Sequence, residues 1–145
     1  MSGKIAIASD HAGFDLKSVI IAYLKKRDYD VLDLGTYTDD RVDYPDYGYA
    51  LADAIASGKA PRGIAICGSG IGISIAANRN PKVRAALCHD VTSAHLARQH
   101  NDANVLALGA RLISEDVALD CVEAFLNTEF EGGRHVGRVE KLGKC

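Results

Sequence analysis

The sequence predicts an α/β protein, a Rossmann-like three-layer sandwich with a five-stranded parallel sheet, helices on both faces and a C-terminal helical extension. Three observations lead there. Short β-branched runs alternate with stretches of helical period. The strand runs are apolar without clean alternation, as strands buried on both faces are. Repeated strand–helix alternation favours right-handed crossovers and hence parallel pairing. The 145 residues are read as a single domain over 1–145, because a chain of this length can bury roughly two thirds of its unfolded surface in one core.

The first strand is expected at 4–9, followed by a helix on which Leu16, Val19, Ile20, Tyr23 and Leu24 recur at i, i+3, i+4, i+7 and i+8. A second strand at 30–34 leads into 36–45, the longest irregular stretch and the expected flexible loop. Tyr47, Ala50, Leu51, Ala54 and Ile55 repeat the helical spacing, and Gly58 with Pro61 marks the stop. The third strand, 63–67, ends in a glycine-rich turn and a helix that Asn80 and Pro81 terminate. After a fourth strand at 84–88, Asp90 can cap a helix whose end falls at His100 and Asn101. The fifth strand spans 104–108. Ser114 before Glu115 and Asp116 reads as the start of a helix buried through Ala118, Cys121, Val122, Phe125 and Leu126.

With 17 basic against 19 acidic side chains the net charge is −2, which argues against a surface built for nucleic acid or anionic lipid, so neither nucleic acid nor membrane is an expected partner. The apolar runs are too short to span a bilayer. The chain reaches Asp10 and His11 without the pattern of a secretory signal, and a cytoplasmic location is expected. Cys67, Cys88, Cys121 and Cys145 form no CxxC pair, which speaks against a disulfide framework. Cys88 and Cys121 are read as small buried hydrophobes.

In open parallel sheets ligands bind beyond the carboxyl ends of the strands. There the sequence sets Ser9-Asp10-His11, Gly35-Thr36, Gly68-Ser69-Gly70-Ile71-Gly72, His89-Asp90 and Gly109-Ala110-Arg111 along one edge. Cys67 ends its strand directly before the glycine turn. Glycines permit positive φ and close approach, and the free N–H groups opening a helix make an anion cradle whose field also favours negative charge on a neighbouring sulfur, while apolar burial opposes it. A nucleotide loop or a plain tight corner is the competing reading. The dinucleotide fingerprint would want glycine at Ile73, and the Walker ending Gly-Lys-Ser/Thr is missing. Arg134 and Arg138 stand four apart, so on a helix both guanidiniums face one way; with Arg111 they suit a phosphorylated ligand, and a solvated basic tail is the alternative. No metal site is expected, since the five histidines make no HExxH or i, i+4 pair and Cys67 has no companion cysteine nearby.

Ser9-Asp10-His11-Ala12-Gly13, Val42-Asp43-Tyr44-Pro45-Asp46, Cys67-Gly68-Ser69-Gly70-Ile71-Gly72, Ser74-Ile75-Ala76-Ala77-Asn78, Arg98-Gln99-His100-Asn101 and Gly133-Arg134-His135 together resemble the type B ribose-5-phosphate isomerases of the RpiB/LacAB sugar-phosphate isomerase family. The likeness runs over essentially the whole chain. It implies an enzyme without metal or other cofactor that interconverts D-ribose 5-phosphate and D-ribulose 5-phosphate through a cis-enediolate. By position, Cys67 would be the proton-transfer base and His100, helped by Asp10, would open the sugar ring. The Ser69 hydroxyl and the amides of Gly68, Ser69, Gly70, Ile71 and Gly72 would hold the enediolate oxygens; His11, Tyr44 and Asn101 match substrate contacts. Arg111, Arg134 and Arg138 match a phosphate grip, the last two lent by the other subunit of a homodimer, with pairing into tetramers left open. Some branches of the family use a carboxylate on the helix after the glycine turn; Ile73 stands there in this chain, so Cys67 keeps the role. Ser69 replaces the threonine of many thiol-branch relatives and preserves the hydroxyl. Relatives acting on allose 6-phosphate or galactose 6-phosphate supply the alternative substrates, and a non-catalytic metabolite sensor is the alternative of another class.

Overall fold

The computed structural model describes residues 3–144, so Cys145 lies outside the described residues. Five parallel strands form one sheet in the order β2-β1-β3-β5-β4. They are β1 (Lys4–Ser9), β2 (Asp30–Asp33), β3 (Arg62–Cys67), β4 (Ala85–Leu87) and β5 (Val105–Gly109). The helices are α1 (Phe14–Lys26), α2 (Tyr44–Ala56), α3 (Ile71–Ala77), α4 (Val91–Asn101), α5 (Glu115–Asn127) and α6 (Val136–Leu142), with 3₁₀ turns at His11–Gly13 and Gly133–His135. This is the α/β three-layer arrangement expected, with α6 as the C-terminal extension. The outer strands β2 and β4 are shorter than expected, although the Leu34 N–H still donates to the Ile7 carbonyl and the Cys88 N–H to the Ala107 carbonyl beyond their ends.

The three central strands separate their side chains by size. Ile5, Ile7, Ile64, Ile66, Leu106 and Leu108 pack on one face with α1, α4 and α5. Ala6, Ala8, Ala65, Cys67, Val105 and Ala107 face the other way, toward α2 and α3. Alternation along a strand makes this inevitable once the residues are chosen. The small-residue face lets α2 and α3 approach closely: a Cβ on Gly48 of α2 would stand 2.7 Å from the Ala76 Cβ of α3. It also brings the opening of α3 down over Cys67.

Asp90 accepts the Ser93 N–H and Ser114 accepts the Val117 N–H, so both expected caps form. Burial pushes the Cys88 thiol up and the Cys121 thiol up to about 12, in keeping with inert core cysteines. The loop after β2 is tied at both ends. The Thr36 N–H donates to the Ser9 carbonyl at 2.8 Å and the Val42 N–H to His11 Nδ1 at 3.1 Å. Lys17 of α1, a charged residue that falls outside the expected apolar stripe, is 2% exposed and pairs at 2.6 Å with Asp33 Oδ1, which also accepts the Gly35 N–H. A buried ammonium is tolerable only with such a partner.

Candidate functional site

The close packing of α3 on β3 forces the turn between them into an unusual path. Gly70 has φ 77°, and a Cβ there would lie 2.5 Å from Leu87 Cδ1 and 2.8 Å from the Leu108 carbonyl carbon. Gly70→Ala is therefore expected to cost ~1 kcal/mol or more in left-handed strain and ~1–3 kcal/mol in overpacking. A lowered urea midpoint would report both.

That path seats the chemistry. Cys67, 4% exposed, accepts the Gly70 N–H on Sγ at 3.1 Å. Ser69 Oγ accepts the Ile71 N–H at 3.1 Å, which leaves its own proton available to donate. Two amides of the expected cradle are thus committed to the sulfur and the hydroxyl instead of facing open space. Asp10, buried at the end of β1, accepts the Gly13 N–H at 3.1 Å and so stays fixed beside the sheet edge.

Asp10, Cys67, Gly68, Ser69, Ile71, Gly72, Tyr44 and Arg111 line one cleft of about 560 Å³. Arg111 lies over Gly68, with its guanidinium 3.2 Å from where a Cβ would be, and the Tyr44 ring covers Gly72 so closely that a Cβ there would collide with it. Both glycines are small because a side chain already fills their space. Ile75 and Leu112 complete the wall; they are 57% and 59% exposed and carry no polar signal by which a sequence could mark them. His11 stands just outside this lining; its Nδ1 accepts from Val42, so in the neutral ring the proton sits on Nε2.

The remaining expected residues gather elsewhere. His100, Asn101, Arg134 and Arg138 are absent from the cleft lining. His100 stacks on His135 with ring centroids 4.4 Å apart and planes inclined by 16°. Burial first, then the neighbouring Arg134, His100 and Arg138, lower the pKa of His135, against the pull of Glu131. One chain therefore carries two separate half-sets, a thiol cleft on the strand edge and a basic cluster around His135. Glu131 was not named from the sequence, and His135 only within the motif Gly133-Arg134-His135 without a role of its own, because their meeting with His100 is tertiary. Donor atoms of His100, Glu131 and His135 lie within 4.8 Å of one another, a grouping that local spacing rules cannot reveal. No helix among the described residues is long and apolar enough to cross a membrane.

Residues 5–142 match the LacAB/RpiB family described as Ribose/Galactose Isomerase. The chain is similar to the structure of ribose-5-phosphate isomerase B from Clostridium thermocellum, at 54% identity over 97% of this chain and 95% of that one, with a TM-score of 0.96. Ribose-5-phosphate isomerase B of Escherichia coli is 49% identical over 139 residues, 96% of this chain and 93% of the relative. D-erythrulose-4-phosphate isomerase of Pectobacterium atrosepticum is 47% identical over 141 residues, 97% and 93% of the two. Likeness of this extent in both sequence and shape shows that the chain belongs to the ribose/galactose isomerase family and is an isomerase.

Proposed function

We propose that the protein interconverts D-ribose 5-phosphate and D-ribulose 5-phosphate, with Cys67 as the base. The observation that carries this reading is the Cys67 sulfur, held by the Gly70 amide in a cleft that also presents Asp10, Ser69 and Arg111. His100, with Asp10, opens the furanose ring. Cys67 as thiolate then takes the C2 proton of the open aldose, leaving a cis-enediolate, and the same thiol returns it to C1 while the hydroxyl proton moves from O2 to O1. A free thiol titrates near about 8.5, far below a carbon acid, so most of the barrier reduction must come from donors that meet the developing oxyanion. The Ser69 hydroxyl and the amides of Ser69 and Gly72 take that part. Tyr44, His11 and Asn101 orient the sugar, and Arg111, Arg134 and Arg138 hold the phosphate, whose binding energy fixes the geometry of the reacting carbons.

The two half-sets described above must meet for this chemistry, and a homodimer supplies the meeting. His100, Arg134 and Arg138 all neighbour His135 in one chain, so a partner copy that lends the arginines lends His100 with them. Incubation with ribose 5-phosphate in D2O tests the reaction class: enzyme-dependent deuterium exchange at the sugar C2 is expected, and its absence would refute an isomerase acting on this substrate.

Chain length is the open variable of the substrate. The family description includes galactose, and a relative 47% identical is named for a four-carbon sugar phosphate. Initial rates on ribose 5-phosphate, erythrulose 4-phosphate, allose 6-phosphate and galactose 6-phosphate rank the candidates. The five-carbon substrate is expected to show the highest kcat/KM, and a higher value for any other would reassign the activity while leaving the proton transfer intact.

A further inference from the structure

His135 presents a problem that the proposed isomerisation does not solve. It is 5% exposed, and its Nε2 is buried without a hydrogen bond; Glu131 Oε1 stands 3.5 Å away, too far and too poorly aligned to satisfy it. Buried polar atoms left in this state usually await a partner. The surroundings supply two more donors. His100, half-buried, lies stacked against the ring, and Glu131 reaches in from the solvent side.

The backbone beneath these three side chains is firmly tied. The Glu131 N–H donates to the Gln99 carbonyl at 3.0 Å, which pins the strap after α5 beside the last turn of α4. Arg98 Nε donates to the Thr128 carbonyl at 3.0 Å, and the same guanidinium bonds Asp102 Oδ1 at 2.8 Å and the Ala103 carbonyl at 2.7 Å. The donors thus come from two segments locked to each other, one carrying His100 and the other Glu131 and His135.

We propose that His100, Glu131 and His135 form a binding site for a divalent transition-metal ion such as Zn2+, and that filling it withdraws His100 from ring opening. The second half rests on the role proposed above for His100; the first does not. Two imidazoles and a carboxylate are a preferred donor set for zinc, with a water as fourth ligand. Metal–donor bonds of about 2.0–2.2 Å require the three atoms, now within 4.8 Å, to close in, and half-buried His100 and exposed Glu131 have the side-chain freedom to do so. Arg134 and Arg138 oppose any cation here. Ions that bind imidazole strongly overcome that field, whereas Mg2+ and Ca2+, which seek oxygen ligands, do not.

Titrating the purified full-length protein with Zn2+ against a chelating indicator, in the presence of a phosphine reductant, tests the site. One Zn2+ per chain is expected, with Mg2+ failing to displace it. Glu131→Gln and His135→Ala should each weaken binding by at least about tenfold. Glu131 is exposed, so its variant remains informative even where His135→Ala fails to fold. Cobalt(II) should give a ligand-field spectrum without a thiolate charge-transfer band, and Cys67→Ser should bind zinc as the wild type does. Unchanged affinity in Glu131→Gln, or a thiolate band, would overturn the site. Wild-type turnover should fall with zinc occupancy, while Glu131→Gln should keep its basal rate and resist. Stoichiometric binding at this site with undisturbed turnover would overturn the inhibitory half and count against His100 as the ring opener, leaving the metal site standing.

Discussion

Cys67→Ala is expected to lower kcat by roughly 10²–10⁴-fold, the range that a positioned general base contributes, with KM changing far less. The substitution removes only the sulfur and leaves all three anchoring arginines in place, Arg111 in the same cleft and Arg134 and Arg138 outside it, so substrate binding should outlast the chemistry. Alanine also strands the Gly70 amide that now donates to Sγ at 3.1 Å, and a buried orphan donor costs about 1–3 kcal/mol. Loss of activity could therefore be confused with a damaged turn. Cys67→Ser separates the two effects: its hydroxyl can accept the amide and keep the turn, yet it surrenders its proton far less readily than a thiol. Both variants should be inactive, and only alanine should melt markedly earlier. Steady-state rates, thermal melts and single-turnover deuterium wash-in at C2 provide the measurements. Substantial turnover in either variant would remove Cys67 from the reaction.

The five strands and the buried stripe of α5 were legible because they are one-dimensional signals: apolar runs, and Ala118, Cys121, Val122, Phe125 and Leu126 at helical spacing, all buried as read. The thiol cleft was legible for a related reason. Residues directly after parallel strands share an edge whatever the strand order, so Asp10, the turn after Cys67, and Arg111 converge without long-range information. What escaped depends on contacts between distant segments. Lys17 is charged and adjoins Leu16 on the buried stripe, and it goes inside through its pairing with Asp33 of β2 and the Phe14 and Tyr37 rings near its ammonium. The sorting of alanine to one sheet face follows an alternation of size, not of polarity, within β1 and β3 that the apolar runs hid, and its consequence, the tight seat of α3 above Cys67, needed Gly48 and Ala76 to meet. His135 was named only as part of a motif, with no role beside the two conspicuous arginines, and its stacking on His100 joins residues 35 positions apart.

Mixing two damaged chains should restore activity that neither has alone. If one chain supplies Cys67 and its partner supplies His100, Arg134 and Arg138, a dimer of Cys67→Ala with Arg134→Ala holds one site with both defects and one with none. Random reassortment makes half of all dimers mixed, so recovery should approach about a quarter of the wild-type rate. The assay belongs below KM, where loss of a charge-assisted phosphate contact worth ~1.5–3 kcal/mol keeps the Arg134→Ala background low. The clustering around His135 sharpens the test. His100→Asn should complement Cys67→Ala to the same extent, since these defects lie in opposite half-sets. His100→Asn should fail to complement Arg134→Ala, because both defects travel on the same donated surface and every site in the mixed dimer then carries one of them. Recovery in that last pair would mean that His100 and the arginines reach the sugar from different chains. No recovery in any pair after verified subunit exchange would mean that each site is built from a single chain, and the separation of thiol cleft and basic cluster would then have to be closed by movement within it.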